Sequence, residues 1–441
     1  MHAWAPAVCL CVAVCGQTPP AVVSLTPAQG AEVEAGKTTQ LVIVFDRAMS
    51  QTGWSLCGGG PSFPKVTQTP QWQNTKTLVV AVELEPDHVY SLGLNCQAAS
   101  NFRGADGTPL VPVPWSFSTL PKQLRPAAEQ KRRNQKALAA MSKVLAERYS
   151  YYDLRVDDWK GLEKKHAAAL LAARTDRGFA AAAAHMLEPT QDLHLYLRCG
   201  DQTFATGRRA VDSLFRRQLV DRLVATKPVG PHALAGRTED GIGYLLVDAW
   251  TSEVDPEVIG GAITELADTA ALVIDARANA GGDETIAQQV AGWFVTGTRV
   301  YAKNRYRDRP GKSGFGPVLD RTITGHGPDR HYDKPIAVLT SRYVMSSNES
   351  FVMMLQQARD CTVIGQPTFG SSGNPKPFDL GNEVTIVVPS WQDLRLDGTV
   401  IEGEGLAPDV LVPCTDKDLE THDPILEKAL EVLRAKVGGG R

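Results

Sequence analysis

The chain has 441 residues, of which 46 are basic and 49 acidic, for a formal net charge of −3. That length exceeds one ordinary core and predicts two or three domains. Charges this evenly mixed leave no basic stripe of the kind that binds nucleic acid or an anionic membrane surface. Beyond the first twenty residues no run approaches the ~18 consecutive apolar residues of a spanning helix, so no transmembrane span is expected there.

The opening "MHAWAPAVCLCVAVCGQTPP" carries an apolar run from Ala3 to Cys15, the length of a signal-peptide core. It predicts a leader over residues 1–18 and an extracytoplasmic location, whether secreted, periplasmic or cell-surface, although no Lys or Arg precedes Lys37. Cys15 is the candidate lipid-anchor position, with Val14 standing where a small residue is expected. Residues 19–120 alternate short apolar runs such as "TTQLVIVF" and "KTLVVAVEL" with turn clusters such as "CGGGPS", which predicts an all-β sandwich. Its opening, "PAVVSLTPAQGAEVEAGKTTQLVIVFDRAMS", resembles bacterial Ig-like modules. Cys57 and Cys96 both fall here; export favours a disulfide between them, and two buried thiols are the other reading.

From Leu124 the composition turns to Ala, Lys, Arg and Leu, and "QKALAAMSKVLAERYSYY" has amphipathic helical spacing. Residues 124–200 read as a helical linker domain that ends in "TQDLHLYLRCG", strand texture with Asp192 and His194 near its start. Taken alone, His194 reads as a structural histidine and Asp192 as a turn residue. Residues 201–240 form a connecting segment. Between 241 and 415, strands such as "GIGYLLVDAW" and "AALVIDARANAGG" alternate with helices, which predicts an α/β layered domain with its sites at the C-terminal ends of strands. A C-terminal helix and tail fill 416–441. The stretch "RYVMSSNESFVMMLQQARD" places Ser346 and Ser347 just before a helix. Ser347 or Asn348 suits a helix cap, and a serine at this point also lies where backbone N–H groups and the helix dipole would stabilise an oxyanion.

Four phrases in order resolve that choice. "ALVIDARANAGGDE", "KPIAVLTSRYVMSSNES", "CTVIGQPTFGSSG" and "VIEGEGLAPDV" resemble the D-x-R-x-N-x-G-G, S-x-x-E, G-x-x-T-x-G and E-x-x-G-x-x-P-D series of the tail-specific, or C-terminal processing, serine peptidases, with the helical region similar to that of the tricorn-like branch. The resemblance covers about residues 125–415. It implies a multidomain chain with a ClpP/crotonase-like α/β peptidase core and a peptide or unfolded-protein substrate. By position it also implies Ser346 as nucleophile, and Ser347, Gly281 and Gly282 as oxyanion-hole residues. The processing branch uses a lysine base at the position that here is Ser371, and Lys376 is the nearest substitute. The tricorn-like branch uses the D-x-H histidine, which implies His194 as base and Glu402, or its neighbour Glu404, as the carboxylate behind it. Leu193 stands where that branch has a polar residue.

The forty residues 201–240 are about half of what a PDZ module needs, so tail reading by such a module is not expected. The stretch 301–335, rich in Arg, Gly and Pro, reads as a long loop flanking the site, solvated or attracting a carboxylate-bearing peptide. No cysteine or histidine spacing reads as a metal site, and no cofactor is expected. Oligomeric state is left open. Two other functional classes fit the same pattern: a non-catalytic binding protein on this fold, as in retinoid-binding relatives, and an adhesion module with a degenerate peptidase attached.

Overall fold

The computed structural model describes residues 18–438 except Gln97, 208–210 and 312–313. Residues 1–17 of the expected leader, Cys15 among them, lie outside the described residues. The chain divides into two compact units, one made of residues up to Gln135 with Lys164–His185, the other of Lys136–Glu163 with Met186 onward. The expected helices form as Ala127–Arg148, Trp159–Ala172 and Asp176–Leu187, and all three run across the division along the chain.

In the first unit two sheets are built from short strands. One has Val22–Thr26, Gln40–Phe45, Thr77–Glu83 and Lys65–Val66 in that order, with Gln71–Asn74 also on Thr77–Glu83; the other has Glu32–Val33, Val113–Thr119, Val89–Leu94 and Leu56–Cys57. Period-two alternation sends Leu41, Ile43 and Phe45 of one sheet into the same core as Tyr90, Leu92 and Leu94 of the other. Cys57 and Cys96 are joined in a disulfide.

The second unit is organised on a seven-stranded sheet, in the order Ala225–Pro228, Ala233–Arg237, Gly243–Val247, Leu272–Asp275, Ile336–Thr340, Cys361–Gly365 and Val410–Leu411. Pairing is parallel from Gly243–Val247 onward. Both faces are covered, which is why these strands read as continuous apolar runs. Leu245, Leu272, Ile274 and Val338 pack with Ile259, Val290 and Phe351 of three helices, Pro256–Glu265, Glu284–Ala291 and Ser347–Leu355. The alternate positions Tyr244, Leu246, Val273 and Leu339 pack with Val220, Ile425 and Leu430 of the helices Arg217–Leu223 and Pro424–Gly438. Among the described residues no helix is long and apolar enough to cross a membrane.

The 301–335 stretch departs from the loop expectation. Thr298–Tyr306 pairs antiparallel with Leu319–Thr324 and, on its other side, with Trp391–Leu394. Arg321 explains why this arginine-rich segment orders: its guanidinium is buried and bonds Asp393, Glu284 and the Ser350 hydroxyl (3.0 Å for the last). A buried cation is tolerated when its donors are matched to carboxylates in this way, and the matching residues are remote in sequence.

Candidate active site

Three strands of the parallel sheet end at the site. Leu272–Asp275 runs into the Ala276–Gly282 turn, Ile336–Thr340 leads to Ser346, and Cys361–Gly365 leads to the Thr368–Ser372 loop. Ser346 sits at the head of the Ser347–Leu355 helix with φ +56°, a left-handed backbone that a non-glycine residue adopts at a cost of about 1–3 kcal/mol. Its surroundings hold it there. The Ser346 N–H donates to the Ser371 carbonyl (2.8 Å) and to Glu349 Oε2 (3.2 Å). The fully buried Glu349 carboxylate also accepts from Gly370 N–H (2.8 Å), Ser371 N–H (3.1 Å) and the Thr368 hydroxyl. Burial pushes its pKa up to about 7 against the pull of these donors. The S-x-x-E spacing thus has a structural meaning: the glutamate ties the serine backbone to the neighbouring loop.

His194 lies in a turn two residues before the Tyr196–Cys199 strand rather than within a strand. The cause is Asp192, whose Oδ1 accepts the His194 N–H at 2.8 Å while its Oδ2 accepts the Tyr149 hydroxyl at 2.8 Å. An Asx turn of this kind competes with strand pairing. The ring Nε2 comes to 3.2 Å from Ser346 Oγ, and Nδ1 to 3.0 Å from Ser371 Oγ. Burial lowers the His194 pKa below its ordinary 6.5, with Asp192 pulling the other way, so the imidazole is neutral at neutral pH.

Two expected site residues are placed differently. Glu402 does not back the imidazole: its carboxylate pairs with Arg155 and accepts the Ser372 N–H at 3.0 Å. Arg155 turns it away, because a half-buried guanidinium is a stronger partner for a carboxylate than a neutral ring. Burial, then the Asp192 charge, push the Glu402 pKa up to about 8 in spite of Arg155. Glu404 is far more exposed and reaches Arg395 at 3.4 Å. The second is Gly281, whose N–H donates to Asn279 Oδ1 at 2.7 Å and is therefore engaged. The Gly282 and Ser347 N–H groups make no hydrogen bond within the described residues, so these two are the donors that remain available at the mouth of the helix. Ser347 donates its hydroxyl to the Gly282 carbonyl, which holds the two strand ends together.

Beside Ser346 opens a cleft of about 400 Å³ lined by Gly282, Glu284, Gln288, Ser347, Asn374 and Trp391, among others. The polar residues of the glycine phrase support it from below. Arg277 is fully buried between Asp275 and Asp423, Asn279 Nδ2 donates to the Val247 carbonyl, and Asn348 Nδ2 donates to the Ala276 and Asn279 carbonyls. Lys376 is exposed on the Pro375–Asp379 edge strand. Sequence reasoning missed Ser371 as a partner of the histidine, and its one signal was the hydroxyl standing where the processing phrase has lysine. Tyr149 and Arg155 carried no signal of their own.

The model of peptidase family S41 matches residues 241–412, a span that includes Ser346, Ser371 and Glu402 and leaves out His194. The carboxy-terminal processing protease CtpB of Bacillus subtilis is 24% identical over 177 residues, 40% of this chain and 35% of that protein. The carboxyl-terminal-processing protease of Synechocystis sp. is 25% identical over 197 residues, 44% of this chain and 43% of that one. The match thus spans less than half the length of either relative. Among solved structures, a candidate peptidase of Parabacteroides merdae aligns with TM-score 0.61 at 22% identity, covering 70% of this chain and 99% of its own. Mature CPAF aligns with TM-score 0.53 at 12% identity, covering 71% and 99%. Both share the fold. With the ordered phrases on the strand ends and the matched core in agreement, residues 241–412 of this chain match peptidase family S41.

Proposed function

We propose that this chain is a serine peptidase acting on peptides or unfolded proteins outside the cytoplasm, and that it belongs to the tricorn-like branch of its family. In this reading Ser346 Oγ gives its proton to His194 Nε2 and attacks the peptide carbonyl. The oxyanion forms between the Gly282 and Ser347 N–H groups, and His194 hands the proton to the leaving amine. Water then repeats the sequence on the acyl-enzyme. The catalytic unit is read as a ClpP/crotonase-like core, and the N-terminal β unit as an Ig-like spacer. The observation that carries the proposal is the 3.2 Å approach of His194 Nε2 to Ser346 Oγ, two residues 152 positions apart.

A fluorophosphonate probe tests it without knowledge of the natural substrate. The wild type is expected to label and Ser346→Ala to give no signal. His194→Ala should lose at least about three orders of magnitude in labelling rate, and Lys376→Ala should match the wild type. Persistent labelling of Ser346→Ala moves the nucleophile elsewhere, and an inert wild type favours a binding protein on this fold.

A further inference from the structure

We propose that Ser371 is the positioning residue of His194, its hydroxyl occupying the place on Nδ1 where a carboxylate stands in a Ser-His-acid site. The inference rests on the peptidase reading. For Nε2 to accept the Ser346 proton, Nδ1 must carry the ring hydrogen, and the group 3.0 Å from Nδ1 is Ser371 Oγ. Ser371 therefore accepts, and this selects the productive tautomer. The opposite arrangement, with Ser371 donating to Nδ1, would leave Nε2 protonated and facing a hydroxyl it could not activate.

The hydroxyl is well placed for this. Ser371 is 1% exposed, and its N–H and carbonyl are both engaged, by Glu349 at 3.1 Å and by the Ser346 N–H at 2.8 Å. The contacts that hold the nucleophile therefore also hold the group that orients the base. No carboxylate oxygen bonds the ring among the described residues. Asp192 meets the His194 backbone N–H, Tyr149 caps Asp192, Glu402 is paired with Arg155, and Glu349 is occupied by the Ser346, Gly370 and Ser371 amides and the Thr368 hydroxyl. A neutral hydroxyl fixes the tautomer but supplies no negative charge to the imidazolium. Ser371 thus differs in kind from an aspartate in this place: it orients the ring and leaves the base neutral to a lower pH.

The test is the second-order labelling rate with a fluorophosphonate between pH 4.5 and 9 for the wild type and for Ser371→Ala, Ser371→Thr and Ser371→Asp. The wild-type rate is expected to rise through one ionisation below pH 6.5 and then stay level. Ser371→Ala should lose about tenfold or more, the worth of a lost hydrogen bond. Ser371→Thr, which keeps the hydroxyl, should recover most of that loss. Ser371→Asp should move the acid limb upward by about one to two pH units, as an opposite charge beside an imidazolium does. A Ser371→Ala rate equal to wild type at every pH, or a Thr variant no better than Ala, overturns the proposal while the nucleophile assignment stands. An unmoved limb in a folded Ser371→Asp overturns it as well. A wild type that does not label sinks the peptidase reading and this one with it.

Discussion

Gly281→Ala is the sharpest single perturbation of the site, because its added methyl points at Ser346. Gly281 has φ +106°, and a Cβ there would lie 2.9 Å from Ser346 Cβ, 2.9 Å from the Met345 carbonyl oxygen and 3.1 Å from Ser347 N. The backbone conformation alone costs a non-glycine residue about 1–3 kcal/mol. Overpacking against three near neighbours adds about 1–3 kcal/mol. Neither neighbour group yields freely, since Met345 and Ser347 belong to the turn that sets Ser346. The strain should therefore appear in two readouts: a stability loss of about 2–6 kcal/mol by urea titration, and a labelling rate at Ser346 lower by about a hundredfold, the effect of an ångström-scale misplacement. Gly261→Ala is the control. Gly261 lies within the Pro256–Glu265 helix with nothing inside 4 Å of a built Cβ, and alanine there should be neutral or stabilising by up to about 1 kcal/mol. A Gly281→Ala protein that is as stable and as reactive as the wild type would refute the close packing of the glycine turn on Ser346.

Two further outcomes follow from buried charge. Glu402 has its pKa raised in the fold, to about 8, so its contribution to stability is fully present below its unfolded pKa and is lost as pH rises through the folded value. Glu402→Gln should flatten that decline between pH 5 and pH 8 in urea titrations; parallel pH profiles for the two proteins would count against the buried carboxylate. Asp423→Ala strips one partner from the fully buried Arg277 and should cost about 3–5 kcal/mol, read as a lower urea midpoint; an unchanged midpoint would mean that Arg277 has other satisfaction.

The parts of the site that the sequence made legible are those whose residues signal locally. Ser346 and Glu349 share one helix turn, and the glycine pair ends an apolar strand, so type and spacing locate both. His194 was legible through its D-x-H phrase, although the strand texture around it put the histidine on a strand and not in the Asx turn that Asp192 makes. Glu402 was misplaced because the direction of a carboxylate depends on the strongest donor nearby, and Arg155 is 247 residues away in sequence. For the same reason the 301–335 stretch read as a loop: its composition is that of a solvated turn, while the burial of Arg321 depends on Glu284, Ser350 and Asp393. Ser371 needed knowledge of which loop folds over the histidine, and no local pattern carries that.

Glu349 grips residue 371 by its backbone amide and leaves the side chain out of the contact. The backbone at position 371 is therefore anchored independently of its side chain. A lysine, as in the processing phrase, or a hydroxyl, as here, starts from the same anchored backbone beside Ser346. The fold separates the question of where residue 371 stands from the question of what it is. The chemistry offered beside Ser346 is thereby set by the side chain at 371, while the backbone bonds that tie this loop to the helix head do not involve that side chain.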